Sequence, residues 1–113
     1  MIDKVWERAG MTCVLRHGAF GAPCGYVIVP EGHPLHGAGF EKADALLEVY
    51  GGVTFAGDLE EAGYAVGFDM AHACDVDYVR RLGEWRPLRT DDECIAETDR
   101  LAEQLSAIAE RIE

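Results

Sequence analysis

In "MTCVLRHG", Met11, Cys13 and Leu15 alternate with Thr12, Val14 and Arg16, a two-residue period that predicts a strand with two distinct faces. The next run, "CGYVIVP", is apolar on both faces and predicts a central strand, which Pro30 ends because it has no donor for the ladder. Between them, Gly18-Ala19 suits a two-residue type II′ turn, so the two runs are expected to form a hairpin. "EGHPLHGAGF", dense in Gly, Pro and His, is a loop by composition. In "EKADALLEVYGGVTFAG", Ala43 to Val49 fits a helical turn or two, and "VYGGVTFAG" fits a strand in which Gly51-Gly52 marks a bulge or a close backbone approach. After a turn at "GDLEEAG", "YAVGFDM" places Tyr64, Val66, Phe68 and Met70 on one face, expected in the core. Its other face carries Ala65, Gly67, Asp69 and Ala71, small residues around one carboxylate that leave room for a ligand.

The clearest element comes last. Thr90 and Glu93 match a capping box, in which a hydroxyl and a carboxylate reciprocally satisfy exposed amides, and the acids of the first turn suit the helix dipole. Cys94, Thr98, Leu101, Leu105, Ile108 and Ile112 then step by four and three, an amphipathic helix of about five or six turns. These elements predict an α+β fold: a small antiparallel sheet of about four or five strands with one long C-terminal helix packed on it. The helix is expected to pack on the sheet rather than on a second copy, either arrangement being compatible with dimerisation, and a homo-oligomer is the expectation.

Composition narrows the reading. The chain of 113 residues suits a single domain, 1–113, with one core. At 49% hydrophobic and 27% charged residues it has the balance of a folded protein, and neither a membrane-length apolar run nor a hydrophobic leader in "MIDKVWERAG" is seen. A cytoplasmic location and no membrane partner are the expectations. The formal net charge of -11 repels a polyphosphate backbone, so nucleic acid is not an expected partner. Acids concentrate in the final helix, whereas "YVRRLGEWRPLR" gathers Arg80, Arg81, Arg86 and Arg89 into a candidate cationic patch. The four cysteines form no CxxC pair, which removes the signature of a zinc ribbon or redox motif. Reduced thiols are the expectation; a turn at Gly18-Ala19 would set Cys13 opposite Cys24, with a disulfide there as the alternative.

Chemistry is concentrated in three polar loops, "PEGHPLHG", "YGGVTFAGD" and "FDMAHACD", each next to an apolar run. If loops of this kind meet beside small residues they make a ligand pocket, although alternate connections of a meander fall at opposite ends. His33, His72, Asp69 and Asp75 are ligand types suited to a divalent metal, but without a dense signature the expected role of the carboxylates is to accept loop amide hydrogen bonds. Cys74 near His72 and Asp75 has the residue types of a nucleophile and its base; a small buried hydrophobe is the expectation for that cysteine. Trp6, Trp85, Tyr26, Tyr50 and Tyr64 can stack on a planar ligand and the arginines can meet phosphates, while core anchoring and pairing with acids are their ordinary roles.

At "CGYVIVPEGHPLHG", "VYGGVTFAG" and "GFDMAHACD" the chain resembles a group of small proteins encoded by bacteriophages and prophages, especially of actinobacteria, over roughly residues 24 to 105. The group carries GYVxVPxGHPL, GGxT(F/Y)xG and GFDxAHxxD in this order, followed by a Glu/Leu-rich helix. The resemblance implies a phage accessory protein with His33, Thr54, Asp69, His72 and Asp75 at the polar motif positions. Two positions depart: the group often has histidine where Tyr50 stands and glycine where Cys74 stands. By analogy of context, the expected function is to bind and sequester a small polar ligand, a nucleotide-derived host immune signal, without a cofactor and without turnover. The expected ligand-binding residues are His33, His36, Tyr50, Thr54, Asp69 and His72, with Asp75 holding the loop. Two alternatives stand beside it: a metal-dependent hydrolase using His33, His72, Asp69 and Asp75, and an acidic inhibitor of a host enzyme acting through Glu97, Glu103 and Glu110.

Overall fold

The structure, a computed structural model, describes residues 1–60 and 62–112, and the side chains of these apart from Arg111 and Ile112. Ile112, last in the predicted helical stripe, thus falls outside the described side chains. Seven strands and two helices follow in the order β1 (Lys4–Arg8), β2 (Met11–His17), β3 (Pro23–Ile28), α1 (Phe40–Leu46), β4 (Phe55–Leu59), β5 (Gly63–Asp69), β6 (Val76–Val79), β7 (Glu84–Pro87) and α2 (Asp91–Ile112). The first five strands form one antiparallel sheet in the order β1-β2-β3-β5-β4, and β6 and β7 form a separate two-stranded arm. The α+β architecture, with a long C-terminal helix on an antiparallel sheet, is as the sequence predicts.

The alternation in β2 holds. Met11, Cys13 and Leu15 face α2 together with Val27, Val66, Phe68 and Met70, and meet Cys94, Leu101, Leu105 and Ile108 from the helix. Each fully buried leucine or phenylalanine of this layer contributes on the order of 1.5–3 kcal/mol, which is what holds α2 down. The helix starts as expected: the Glu93 amide donates to Thr90 Oγ1 at 3.1 Å, and the Thr90 amide donates to Glu93 Oε1 at 2.9 Å. Thr98, buried within the stripe, donates its hydroxyl to the Cys94 carbonyl at 2.7 Å and so brings no unsatisfied polar group into the core.

Several expectations are corrected. The β2–β3 turn is not the two-residue type: the chain from Gly18 to Ala22 makes it, with Ala19–Gly21 in a 3₁₀ turn and Phe20 and Gly21 left-handed. This slides the register so that Cys13 faces Val27 and Cys24 faces Arg16, on opposite faces of the sheet, and all four cysteines are free thiols. The strand expected over "VYGGVTFAG" begins only at Phe55, after a turn in which Gly51 and Gly52 both have positive φ. Nor is the sheet a plain meander, because β5 crosses back beside β3 and leaves β4 at the edge. The face of β5 expected to be bare is filled from within: a Cβ at Gly67 would overlap the Tyr26 ring, which packs edge-on against Phe55 at 5.4 Å. Tyr26, Phe55, Ile2 and Ile28 cover a second, smaller cluster of Val14, Leu59 and Ala65 there.

The pairing also decides which loops meet. Cys24 pairs with Asp69, and Phe55 with Gly67, so the β2–β3 turn, the segment before β4 and the segment after β5 lie at one end of the sheet. The loop after β3 starts at the opposite end, beside the β1–β2 turn. No helix among the described residues is long and apolar enough to cross a membrane.

Candidate functional site

At the first of these ends, a carboxylate is built into the protein. Asp75, in the 3₁₀ turn Ala73–Asp75, has no exposed surface. Its Oδ2 accepts from the His72 amide at 3.2 Å and from His72 Nδ1 at 2.9 Å; its Oδ1 accepts from Arg89 Nε at 2.9 Å and from the Tyr50 hydroxyl. Burial pushes this carboxyl's pKa up, but the donated bonds of Tyr50, Arg89 and His72 outweigh it and hold the group well below the usual carboxylate range. In return the Tyr50 hydroxyl is pushed up to about 12, chiefly by its bond to Asp75, and remains a donor. The Tyr50 turn can come this close because Gly51, at φ 70°, has no Cβ; one there would overlap the His72 ring. Tyr50 and His72 pack edge to face at 5.8 Å.

Beside this cluster lies an open cleft of about 500 Å³, lined by Tyr50, Met70, Arg89, Glu93, Ala96, Glu97 and Arg100. Its volume is in the range of small-molecule sites. Arg89 is held through Nε, while its Nη atoms make no hydrogen bond among the described residues; Nη1 forms a looser ion pair with Glu93 at 3.7 Å. The guanidinium is therefore fixed at its back with donors left at its front. Arg100 differs: its Nε and Nη2 are taken by Glu97 and the Glu48 carbonyl at 2.9 and 2.8 Å. Glu97 also accepts from the Tyr50 amide at 2.7 Å, tying the turn to α2.

Two of the three polar loops thus converge, and the third does not. His33 is buried against α2, where Nε2 donates to the Leu105 carbonyl at 2.8 Å and Nδ1 accepts from the Leu35 amide at 3.0 Å. Both ring nitrogens are used, about two turns along α2 from the Glu97 that anchors Tyr50. His36 bonds the Val29 carbonyl at 2.8 Å and packs on Tyr64. Thr54 is exposed, with its amide on the Gly67 carbonyl at 2.9 Å. Asp69 accepts from the Ala71 amide at 3.1 Å and shares no bond with His72. Of the expected ligand residues, Tyr50 lines the cleft and His72 packs beside it. The alternative metal set of His33, His72, Asp69 and Asp75 is split between the two ends of the sheet, and among the described residues no three His, Cys, Asp or Glu side chains are placed to hold a metal. Cys74 is exposed rather than buried, 4.0 Å from the Tyr50 hydroxyl. Burial pushes the Cys13 and Cys94 thiols up to about 12, as befits inert core residues. On the proposed inhibitory face of α2, Glu97 and Glu103 are engaged within the chain by Arg100 and Arg8.

Sequence reasoning named Arg89 only as one of four arginines able to meet a phosphate, named Glu97 only as part of an acidic helix face, and placed Met70 in the core; it brought none of them to Tyr50. Glu97 and Met70 carried no signal for a cleft, since each is an ordinary position until Tyr50 folds onto it. No protein-family model, no curated protein and no solved structure matches the chain.

Proposed function

We propose that the protein binds, without turning it over, a small ligand that carries a planar group and an anionic group, in the cleft between Tyr50, Arg89 and the first turns of α2. The observation that carries this reading is Arg89, fixed through Nε by a fully buried carboxylate while its Nη donors stay unbonded beside an aromatic ring. Such a guanidinium loses little entropy on meeting a phosphate or carboxylate, and the Tyr50 ring supplies a stacking surface. Met70 and Ala96 give the cleft an apolar lining for the rest of the ligand. Binding rather than catalysis is favoured because every polar group of Asp75 is committed to internal bonds and His72 Nε2, the ring nitrogen left open, has no bonded nucleophile among the described residues.

The narrower form of the proposal is a phage accessory protein that sequesters a nucleotide-derived immune signal of its host. Its support is the wording of the three motifs together with a ring-and-anion cleft, the chemistry that a nucleotide presents. Titration calorimetry with a nucleoside monophosphate, a cyclic dinucleotide and a nucleoside diphosphate ribose tests it. At least one should bind saturably, lose that binding in Arg89→Gln, and come back chemically intact when the protein is heated. Binding of none of the three, or recovery of an altered nucleotide, overturns the reading.

A further inference from the structure

The β6–β7 arm is built unlike the rest of the chain. Its four-residue strands pair only with each other, and its aromatic residues, Tyr78 and Trp85, pack on each other at 5.2 Å and reach the body through Phe20. At its tip, the tight turn Arg80–Gly83 leaves Leu82 49% exposed between charged neighbours. Arg80 and Arg81 make no ion pair among the described residues, whereas Arg8, Arg16, Arg86, Arg89 and Arg100 all have acidic partners. With Tyr78, Trp85 and Leu88 also 44–53% exposed, Leu82 belongs to an apolar surface beside two unpaired arginines, on a chain of net charge -11, the make-up of an interaction site.

That surface exists at the other end of the molecule. A groove of about 470 Å³ lies between the β1–β2 turn, the loop after β3 and the last turns of α2. Met11, Pro30, Pro34 and Ala109 line it, and Glu31 and Glu110 stand on its rim with no ion pair among the described residues. We propose that the arm tip of one copy seats Leu82 in this groove of a second copy, with Arg80 and Arg81 against Glu31 and Glu110. Within one chain the contact cannot form. The arm is rooted at the N-terminal end of α2 and packs on the β2–β3 turn, while the groove lies at the opposite end of a helix about 33 Å long at 1.5 Å per residue. Two copies lying antiparallel fill both grooves reciprocally, the closed two-fold arrangement in which each chain gives an arm and receives one. A polyanionic surface is the poorer occupant, because Asp77 on the arm and Asp92 at its root, neither ion-paired among the described residues, would face it beside the arginines.

Sedimentation equilibrium on the full chain tests the proposal. The mass should double with rising concentration, and both Arg80→Glu/Arg81→Glu and Glu31→Arg/Glu110→Arg should weaken association by about tenfold or more, since each places like charges face to face. Mixing the two reversed variants should restore a one-to-one dimer, an outcome that misfolding of either would not give. A wild-type chain that stays monomeric throughout, or reversed variants that fail to complement each other, overturns the proposal. So does an arm variant that leaves the mass unchanged but loses binding to phosphatidylglycerol vesicles, which would assign the arm to a lipid surface.

Discussion

The loop around His33 and the loop around His72 are both short, polar and glycine-rich in their surroundings, yet the fold gives them opposite tasks. His33 is swallowed by the core, both nitrogens bonded to backbone, and clamps its loop to α2. His72 stays about a third exposed, donates through Nδ1 to Asp75, and stands beside a cleft. The difference teaches that residue type decides little; what decides is how much of a side chain's bonding capacity the fold consumes. His33 has none left, and the cluster at the other end retains the Nη donors of Arg89.

The strongest way to break this contrast is to remove its anchor. Asp75→Ala leaves the Arg89 guanidinium, the Tyr50 hydroxyl and His72 Nδ1 without their acceptor, and should destabilise the protein by about 3 kcal/mol in urea unfolding, at the low end for a buried pair because Arg89 is partly solvated. Acid should act in the same direction. A carboxyl whose folded pKa lies below its ordinary 3.8 stabilises fully above that value, and the contribution is lost as pH falls through the depressed folded pKa. Wild type should therefore lose stability steeply in acid, and the slope should flatten in Asp75→Ala. A variant as stable as wild type at neutral pH would mean that the cluster is not what holds the two loops together.

At the other loop, His33→Ala should cost about 2 kcal/mol through an unpaired Leu35 amide and a cavity under α2, and leave ligand binding at the cleft unchanged. The reverse pattern is expected of His72→Ala: about 1 kcal/mol or less in stability, because the ring is partly solvated, but weaker ligand binding as the Tyr50 ring loses its edge contact. Thermal melts and calorimetry on the two variants measure both quantities. If the two substitutions shifted stability and affinity together, the division between a clamping loop and a binding loop would fail.

How far the sequence carries a reader depends on whether a feature is periodic. The helix α2 was legible to its cap because its apolar positions repeat and the Thr90–Glu93 box is local chemistry. The alternating strands β2 and β5 were legible for the same reason, and β3 as an apolar run closed by Pro30. β1 was not, since "KVWER" is a polar edge with one large anchor, Trp6, whose indole donates to Asp99 at 2.7 Å. The arm was not legible either: "VDYV" and "EWRP" have no core face to produce a pattern, and Trp85, expected as a core anchor, is 48% exposed. In the site, the His72–Asp75 pair was visible as spacing. Its completion by Tyr50 and Arg89 was not, because it depends on β5 returning beside β3 and setting the two loops at one end.

The smallest expected effect lies at the base of the cleft's end of the sheet, where His17 bridges two acids. Its Nε2 meets Asp91 Oδ1 at 2.8 Å and its Nδ1 meets Asp3 Oδ2 at 2.9 Å, so the N-terminal segment, β2 and the start of α2 share one imidazolium. Hydrogen bonds to Asp91 and then to Asp3 raise its pKa above the ordinary 6.5, against a weaker opposing pull from burial. A raised folded pKa means that the stabilisation is fully present below the unfolded value and fades as pH rises through the folded one. Both acids are solvated, so the gain is that of a surface bridge, small and weakened by salt. Proton NMR should place the His17 midpoint above 6.5, and His17→Gln should remove a shallow loss of stability from about pH 6.5 upward while leaving the Asp75 acid slope intact. A His17 midpoint at or below the ordinary value would show that the two carboxylates do not hold the ring in solution, and that the N-terminal end is joined to α2 only farther along, by Trp6 on Asp99 and Arg8 on Glu103.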